Sequence, residues 1–276
     1  MLSIEELRKK LVKAGKLELR PLCVYGVEEI PQGARPSYAI DRCIAKAVYI
    51  AAVLEETPQL YVDASQDQCC PGGMVWMGFN EPHPLLKYFV TIGSPEFHGG
   101  AAEHLKATPE LFDKQRKRAG KVTPPGKYVV VGPCTNDIAL DKIRSIILFA
   151  GSEQIRNLCG LAQFNNSDPF FKTIIPAGAT CSMMITYPAG MAENAPKDSA
   201  YIGPTDPTGN KWLPPDLMIM GIPIPLAQQM ASDLDESFIC KRSEIAYPEN
   251  RAAIEQWRRH IRLIHSPPED LNNFYG

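Results

Sequence analysis

Arg144-Ser145-Ile146-Ile147-Leu148-Phe149-Ala150 passes directly into Gly151-Ser152-Glu153 and a helical pattern that lasts through Phe164. A β run joined at once to a helix is the unit of an α/β fold, so this stretch sets the class. Just upstream, Lys127 to Val131 reads as a buried strand closed by Gly132-Pro133-Cys134. Downstream, Thr173 to Ile175, Thr180 to Tyr187 and Leu217 to Ile222 read as strands, and Pro225 to Leu234 reads as a helix.

The first half has the same order. Ser3-Ile4-Glu5-Glu6 is a capping box that opens a helix with Leu2, Leu7 and Leu11 on one face, ended by Gly15. Leu22 to Tyr25 reads as a strand, Ala39 to Leu54 as a helix with an apolar stripe, and Gln59 to Ala64 as a short strand. Leu85 to Ile92 is strand-like, and His98 to Leu111 is weakly helical. Strand, helix with cysteine, strand, cysteine therefore occurs twice: Cys43 and Cys70 are 27 residues apart, Cys159 and Cys181 are 22 apart. The expectation is a mixed α/β sheet in one domain over 1–235, built from two related β-α-β halves. Residues 236–276 form a C-terminal extension, with an amphipathic helix over Glu249 to Ile264 and a tail from Ser266 to Gly276. Ala189 to Pro215, rich in Pro, Gly and Asp, reads as a lid or binding loop.

Between the first strands lies Gln68-Cys69-Cys70-Pro71-Gly72-Gly73-Met74. Proline fixes the turn after Cys70, and two residues without Cβ let backbone N–H groups approach whatever the sulfurs hold. Such a turn suits a thiolate-bound metal, an iron–sulfur cluster or an anionic cofactor. The plainer reading is a tight structural turn with small buried cysteines. Asp63 and Asp67 flank it and position a ligand or cap the loop.

These residues resemble the family catalogued as domain of unknown function 169, or ArCR. The resemblance rests on Ile40-Asp41-Arg42-Cys43, on Cys70-Pro71-Gly72-Gly73 with Gly78-Phe79 soon after, and on the segment carrying Cys181. The order of the Tyr128 to Gly132, Ile146 to Ala150 and Met218 to Pro223 segments also fits, and the match spans about Leu17 to Leu234. The family's reaction is undefined; its distribution implies anaerobic metabolism. Members often carry another cysteine in a C-x-G-x-R-like segment, where this chain has Ala200-Tyr201-Ile202-Gly203-Pro204. Cys69, Cys134, Cys159 or Cys23 would have to replace that ligand.

The leading expectation is a cysteine-ligated iron–sulfur or metal centre, with Cys43, Cys69, Cys70, Cys159 and Cys181 as candidate ligands and zinc as an alternative metal. A second reading is a binding module for a tetrapyrrole-like cofactor or a small organic ligand. In it Cys70, Gly72 and Gly73 meet an anionic group, and Met74, Trp76, Met77 and Phe79 form an apolar wall unless they simply pack the core. A third is a metal-free cysteine enzyme using Cys70 with His83 or His98. No P-loop, G-x-G-x-x-G, H-E-x-x-H or G-x-S-x-G sequence occurs.

Bulk composition narrows the partners. Net charge is −2, which gives no basic field for nucleic acid. The five basic residues within Lys114 to Lys121 read as a solvated face or, less simply, a polyanion site. No export signal or membrane span is read, so the eight cysteines are expected as reduced thiols or ligands in the cytoplasm. A small-molecule ligand or a redox partner protein, with a possible homo-oligomer, completes the expectation.

Overall fold

The first helix, α1 (Ile4–Gly15), starts as its capping box dictates: the Glu6 N–H donates to Ser3 Oγ, and the Ser3 N–H donates to the Glu6 carboxylate. It ends where Lys16 turns left-handed, and its apolar stripe buries Leu7 and Leu11 completely. The computed structural model describes residues 1–65 and 68–241. Asp67, the helix read over 249–264 and the tail lie outside the described residues. Met1–Cys240 forms one compact unit.

After α1 come β1 (Leu22–Val27), β2 (Arg35–Pro36), α2 (Ile44–Val53), β3 (Leu60–Val62), α3 (Pro71–Trp76), α4 (Leu86–Val90), α5 (Pro109–Ala119) and β4 (Tyr128–Pro133). The second half continues with β5 (Ile143–Gly151), α6 (Ser152–Gln163), β6 (Thr173–Ile174), a π-helical segment (Ser182–Thr186), β7 (Ala200–Gly203), β8 (Leu217–Pro223) and α7 (Ile224–Asp233). The eight strands form one mixed sheet in the order β2-β3-β4-β1-β5-β8-β7-β6.

That order is a palindrome. Exchanging β1 with β5, β2 with β6, β3 with β7 and β4 with β8 returns the same sheet read from the other edge. Pairing directions obey the exchange too: both edge pairs, β2 with β3 and β6 with β7, are parallel, and the pairs between them are antiparallel. The expected two halves therefore exist, but the cysteines pair off differently from the sequence reading. Arg35↔Leu60 and Pro36↔Tyr61 in the first half correspond to Thr173↔Ala200 and Ile174↔Tyr201 in the second. Cys43 stands seven residues beyond Pro36, and Cys181 stands seven beyond Ile174. Cys181 is thus the counterpart of Cys43, and the α6 residue Cys159 has no counterpart in this scheme.

Each sheet face carries its own core. Leu22, Val24, Val129, Val131, Ile147 and Phe149 pack against α2, α3 and the π-helical segment. The alternate residues Cys23, Val130, Ile146, Leu148 and Met220 pack against α1, α6 and α7. Burial on both faces is why β5 is apolar almost throughout.

Three local expectations are corrected. Leu85 to Ile92 was expected to extend, on its aromatic and β-branched content, but Leu86–Val90 is helical. Thr180 to Tyr187 was expected as a strand; it is helical and widens into a π turn. There the chain lies so close to the sheet that a Cβ on Gly203 would overlap Met183 Sδ, and one on Gly221 would come within 2.9 Å of the Met183 carbonyl oxygen. A crossing segment held against two bare strand positions wins over β propensity. Finally, the loop read over Ala189 to Pro215 contains β7, too short and too punctuated by proline to be read.

The expectation of reduced thiols fails at one pair. Cys23 in β1 and Cys134, one residue beyond β4, form a disulfide whose Cα atoms are 5.3 Å apart. Adjacent antiparallel strands bring them together, across 111 residues of sequence that gave no hint of it.

Two outcomes follow from these contacts. Gly221→Ala should lift the π-helical segment from the sheet and lower stability by about 1–3 kcal/mol, the usual range for overpacking; an unchanged urea midpoint would contradict the close seat. Alkylation of the denatured protein without reductant should modify six of the eight cysteines, with mass spectrometry finding the remaining two as a peptide joining residues 23 and 134.

Candidate functional site

Asp41-Arg42-Cys43 builds the site by fastening two segments together. Asp41 Oδ1 accepts the Cys43 N–H at 2.8 Å, and its other oxygen pairs with Lys46 at 2.7 Å, so the residue just before α2 is fixed in place. Partial burial opposes ionisation of Asp41, but Lys46 and the Cys43 N–H outweigh it and hold the carboxyl below its ordinary range. Arg42 reaches across: its Nε donates to the Gln68 carbonyl at 3.1 Å, and its own carbonyl accepts the Cys70 N–H at 2.8 Å. Cys43 and Cys70 are thereby placed side by side, each as the residue before a helix.

Cys70-Pro71-Gly72-Gly73 is that second helix start. Pro71 occupies the first helical position of α3, where a missing N–H costs nothing. The expected turn is therefore the entry to a helix. Gly73 is buried, and a Cβ there would stand 3.0 Å from Ile44 Cδ1 and 3.7 Å from Cys181 Sγ. Its bareness lets α3 lie against the first turn of α2 and against Cys181. Gly72 sits beside its neighbour, with a Cβ position 3.8 Å from Cys70 Sγ.

Three thiols come within electrostatic reach of one another here, graded from surface to core: Cys70 is exposed, Cys43 half-buried and Cys181 buried. Burial pushes the Cys43 thiol up; the N–H groups of Lys46 and Ala45 at the start of α2 offset part of this, and Cys70 adds to it. Burial drives the Cys181 thiol well above the ordinary thiol value, with further upward contributions from Cys43, Cys70 and Asp206. The Ala45 N–H favours the thiolate at both Cys43 and Cys181. Among the described residues, no three His, Cys, Asp or Glu side chains stand in ready-made metal-binding geometry.

The other sequence candidates go elsewhere. Cys69 is buried, with Sγ 3.3 Å from Ser37 Oγ. Cys159 belongs to α6 and packs on the opposite face of the sheet. Trp76 is in the core, edge-on to Tyr187 with ring centroids 5.9 Å apart, and Thr186 Oγ1 donates to its carbonyl. Met74 and Met77 are almost fully enclosed beside it, and Phe79 packs partly buried against the same core. His83 and His98 stand on either side of Phe97, each in ring contact with it.

Asp206 is the residue the sequence reading missed. It lies in the connection after β7, the part of the second half that corresponds to the Cys70 connection of the first. The Thr180 N–H donates to Asp206 Oδ2 at 3.0 Å, and Thr180 Oγ1 and Asn210 Nδ2 also donate to the carboxylate. Burial raises its pKa nonetheless. The only sequence signal was an aspartate in the proline- and glycine-rich loop, and many loop aspartates look the same.

No described helix is long and apolar enough to cross a membrane. No curated protein and no solved structure gives a significant match to the chain. One family model does match, over residues 10–233, and that span contains every thiol of the site. The chain belongs to the family of domain of unknown function 169, described as uncharacterised ArCR.

Proposed function

We propose that Cys43, Cys70 and Cys181 are the ligands of a thiolate-bound metal centre, an iron–sulfur cluster in the first instance, in a cytoplasmic protein of redox or cofactor handling. The observation that carries this reading is that three thiols from three separate segments lie within electrostatic reach of one another at the start of α2, two of them at equivalent positions of the two halves. Soft cations and iron–sulfur clusters are held in this way, by sulfurs converging from different parts of a chain. Backbone N–H groups of Ala45 and Lys46 are already aimed at sulfur, the kind of donor that tunes a bound centre. Zinc fits the same donors, with a fourth ligand supplied by solvent or by a partner.

The pH dependence has a definite sign. Folded-state pKa values at Cys43 and Cys181 lie above the ordinary thiol value, so both sulfurs are protonated at neutral pH without metal. A metal must displace those protons, and its apparent affinity rises with pH up to the raised values. Cobalt(II), followed by its thiolate charge-transfer absorption, should bind more tightly at each step from pH 6 to pH 8; a flat profile would argue against thiolate ligands.

The decisive measurement is iron, zinc and acid-labile sulfide on protein purified without oxygen. Cys43→Ser, Cys70→Ser and Cys181→Ser should each remove most of the metal, whereas Cys159→Ser should leave it unchanged. Equal metal in the triple serine variant and the parent protein would end the proposal. A Soret band without acid-labile sulfide would point instead to a tetrapyrrole.

A further inference from the structure

The basic run on α5 contributes two side chains, Arg116 and Lys117, to a cleft whose lining contains none of the three thiols. Between α4 and α5 lies a cleft of about 480 Å3, lined by Lys87, Arg116 and Lys117 with Leu86 and Phe112 as apolar neighbours. Asp113 is the one carboxylate in the lining, and it is engaged by Lys87 at 3.2 Å. Arg116 is half-buried, and among the described residues its guanidinium makes no hydrogen bond and no ion pair within 4.0 Å. Glu81 and Asp113 act on it only through space, and burial outweighs them in setting its pKa below the ordinary guanidinium value. A guanidinium taken partly out of water normally finds a carboxylate or phosphate to grip with its planar fork of donors.

His83, on the same lining, adds a directed donor. Its Nδ1 accepts the Leu85 N–H at 3.1 Å, which leaves Nε2–H to donate when the ring is neutral. The ring is held by stacking on Phe97, with centroids 4.7 Å apart.

We propose that the α4–α5 cleft binds a small organic anion, its carboxylate or phosphate paired with Arg116 and its apolar part lying against Phe112 and Leu86. Lys117 and Lys87 supply positive charge at the rim, and the largely buried Phe112 supplies an apolar floor. This site is independent of the thiols: it survives if Cys43, Cys70 and Cys181 hold no metal.

The probe is 8-anilinonaphthalene-1-sulfonate, an aromatic anion whose fluorescence rises on binding, titrated against the full chain. Saturable binding to one site, displaced by inorganic phosphate, is expected. Arg116→Gln should weaken it by about tenfold or more, the loss of one charge-assisted hydrogen bond. Lys114→Gln, an exposed neighbour outside the lining, should change affinity by less than about twofold. If Arg116→Gln does not fold by circular dichroism, the exposed Lys117→Gln takes its place, with a loss of about threefold. The proposal is overturned by an absence of saturable binding, by wild-type affinity in the folded lining variant, or by equal affinity for the uncharged N-phenyl-1-naphthylamine.

Discussion

β1 and β5 hydrogen-bond side by side at the middle of the sheet, with Leu22 opposite Ile147 and Cys23 opposite Ile146. Among the described residues this antiparallel seam is the only place where the two halves join within the sheet, and their arrangement depends on it. Because its strands run in opposite directions, it relates the halves by an approximate two-fold operation that keeps equivalent elements on the same face. α2 and the π-helical segment are such a pair, and both pack on the core of Ile147 and Phe149. Their starting residues, Cys43 and Cys181, come within electrostatic reach of each other for that reason. A register slip of one residue at the seam would turn the alternating side chains of β5 to the wrong cores and separate the thiols as well.

Much of this was readable, and what was readable has a common physical character. α1, β5, α6 and α7 are long enough for periodicity or an unbroken apolar run to outweigh noise, and α1 carries a capping box that works as written. The failures have separate causes. Leu86–Val90 and Ser182–Thr186 contain residues that favour strands, yet five-residue helical turns are fixed by what they lie against. β2, β6 and β7 are only two to four residues long, and their existence is a property of the neighbouring strand.

The site itself was half legible. Cys70, Gly73, Cys43 and Cys181 were recognisable as candidates from local chemistry, but their grouping could not be had from spacing. Matching cysteines by distance along the chain pairs Cys159 with Cys43; matching them by strand register pairs Cys181 with Cys43. Register is a tertiary quantity, set by hydrogen bonds between Thr173–Ile174 and Ala200–Tyr201 that the linear sequence does not display. The role of Asp41 and Arg42 was hidden for a similar reason. Most of their partners are backbone groups of Cys43, Gln68 and Cys70, which no side chain marks, and Lys46 is the one side chain that Asp41 engages among the described residues.

The two halves agree in topology and differ in chemistry at the site. After β3 the first half supplies Cys70, exposed and able to meet an incoming ion or partner. After β7 the second half supplies Asp206, already occupied by Thr180 and Asn210 and shielded by the loop that carries it. A symmetric pair of thiols therefore feels a half-buried carboxylate from one half and an exposed sulfur from the other. The matched pair follows from the repeated topology, and the two connections after β3 and β7 are where the halves part company.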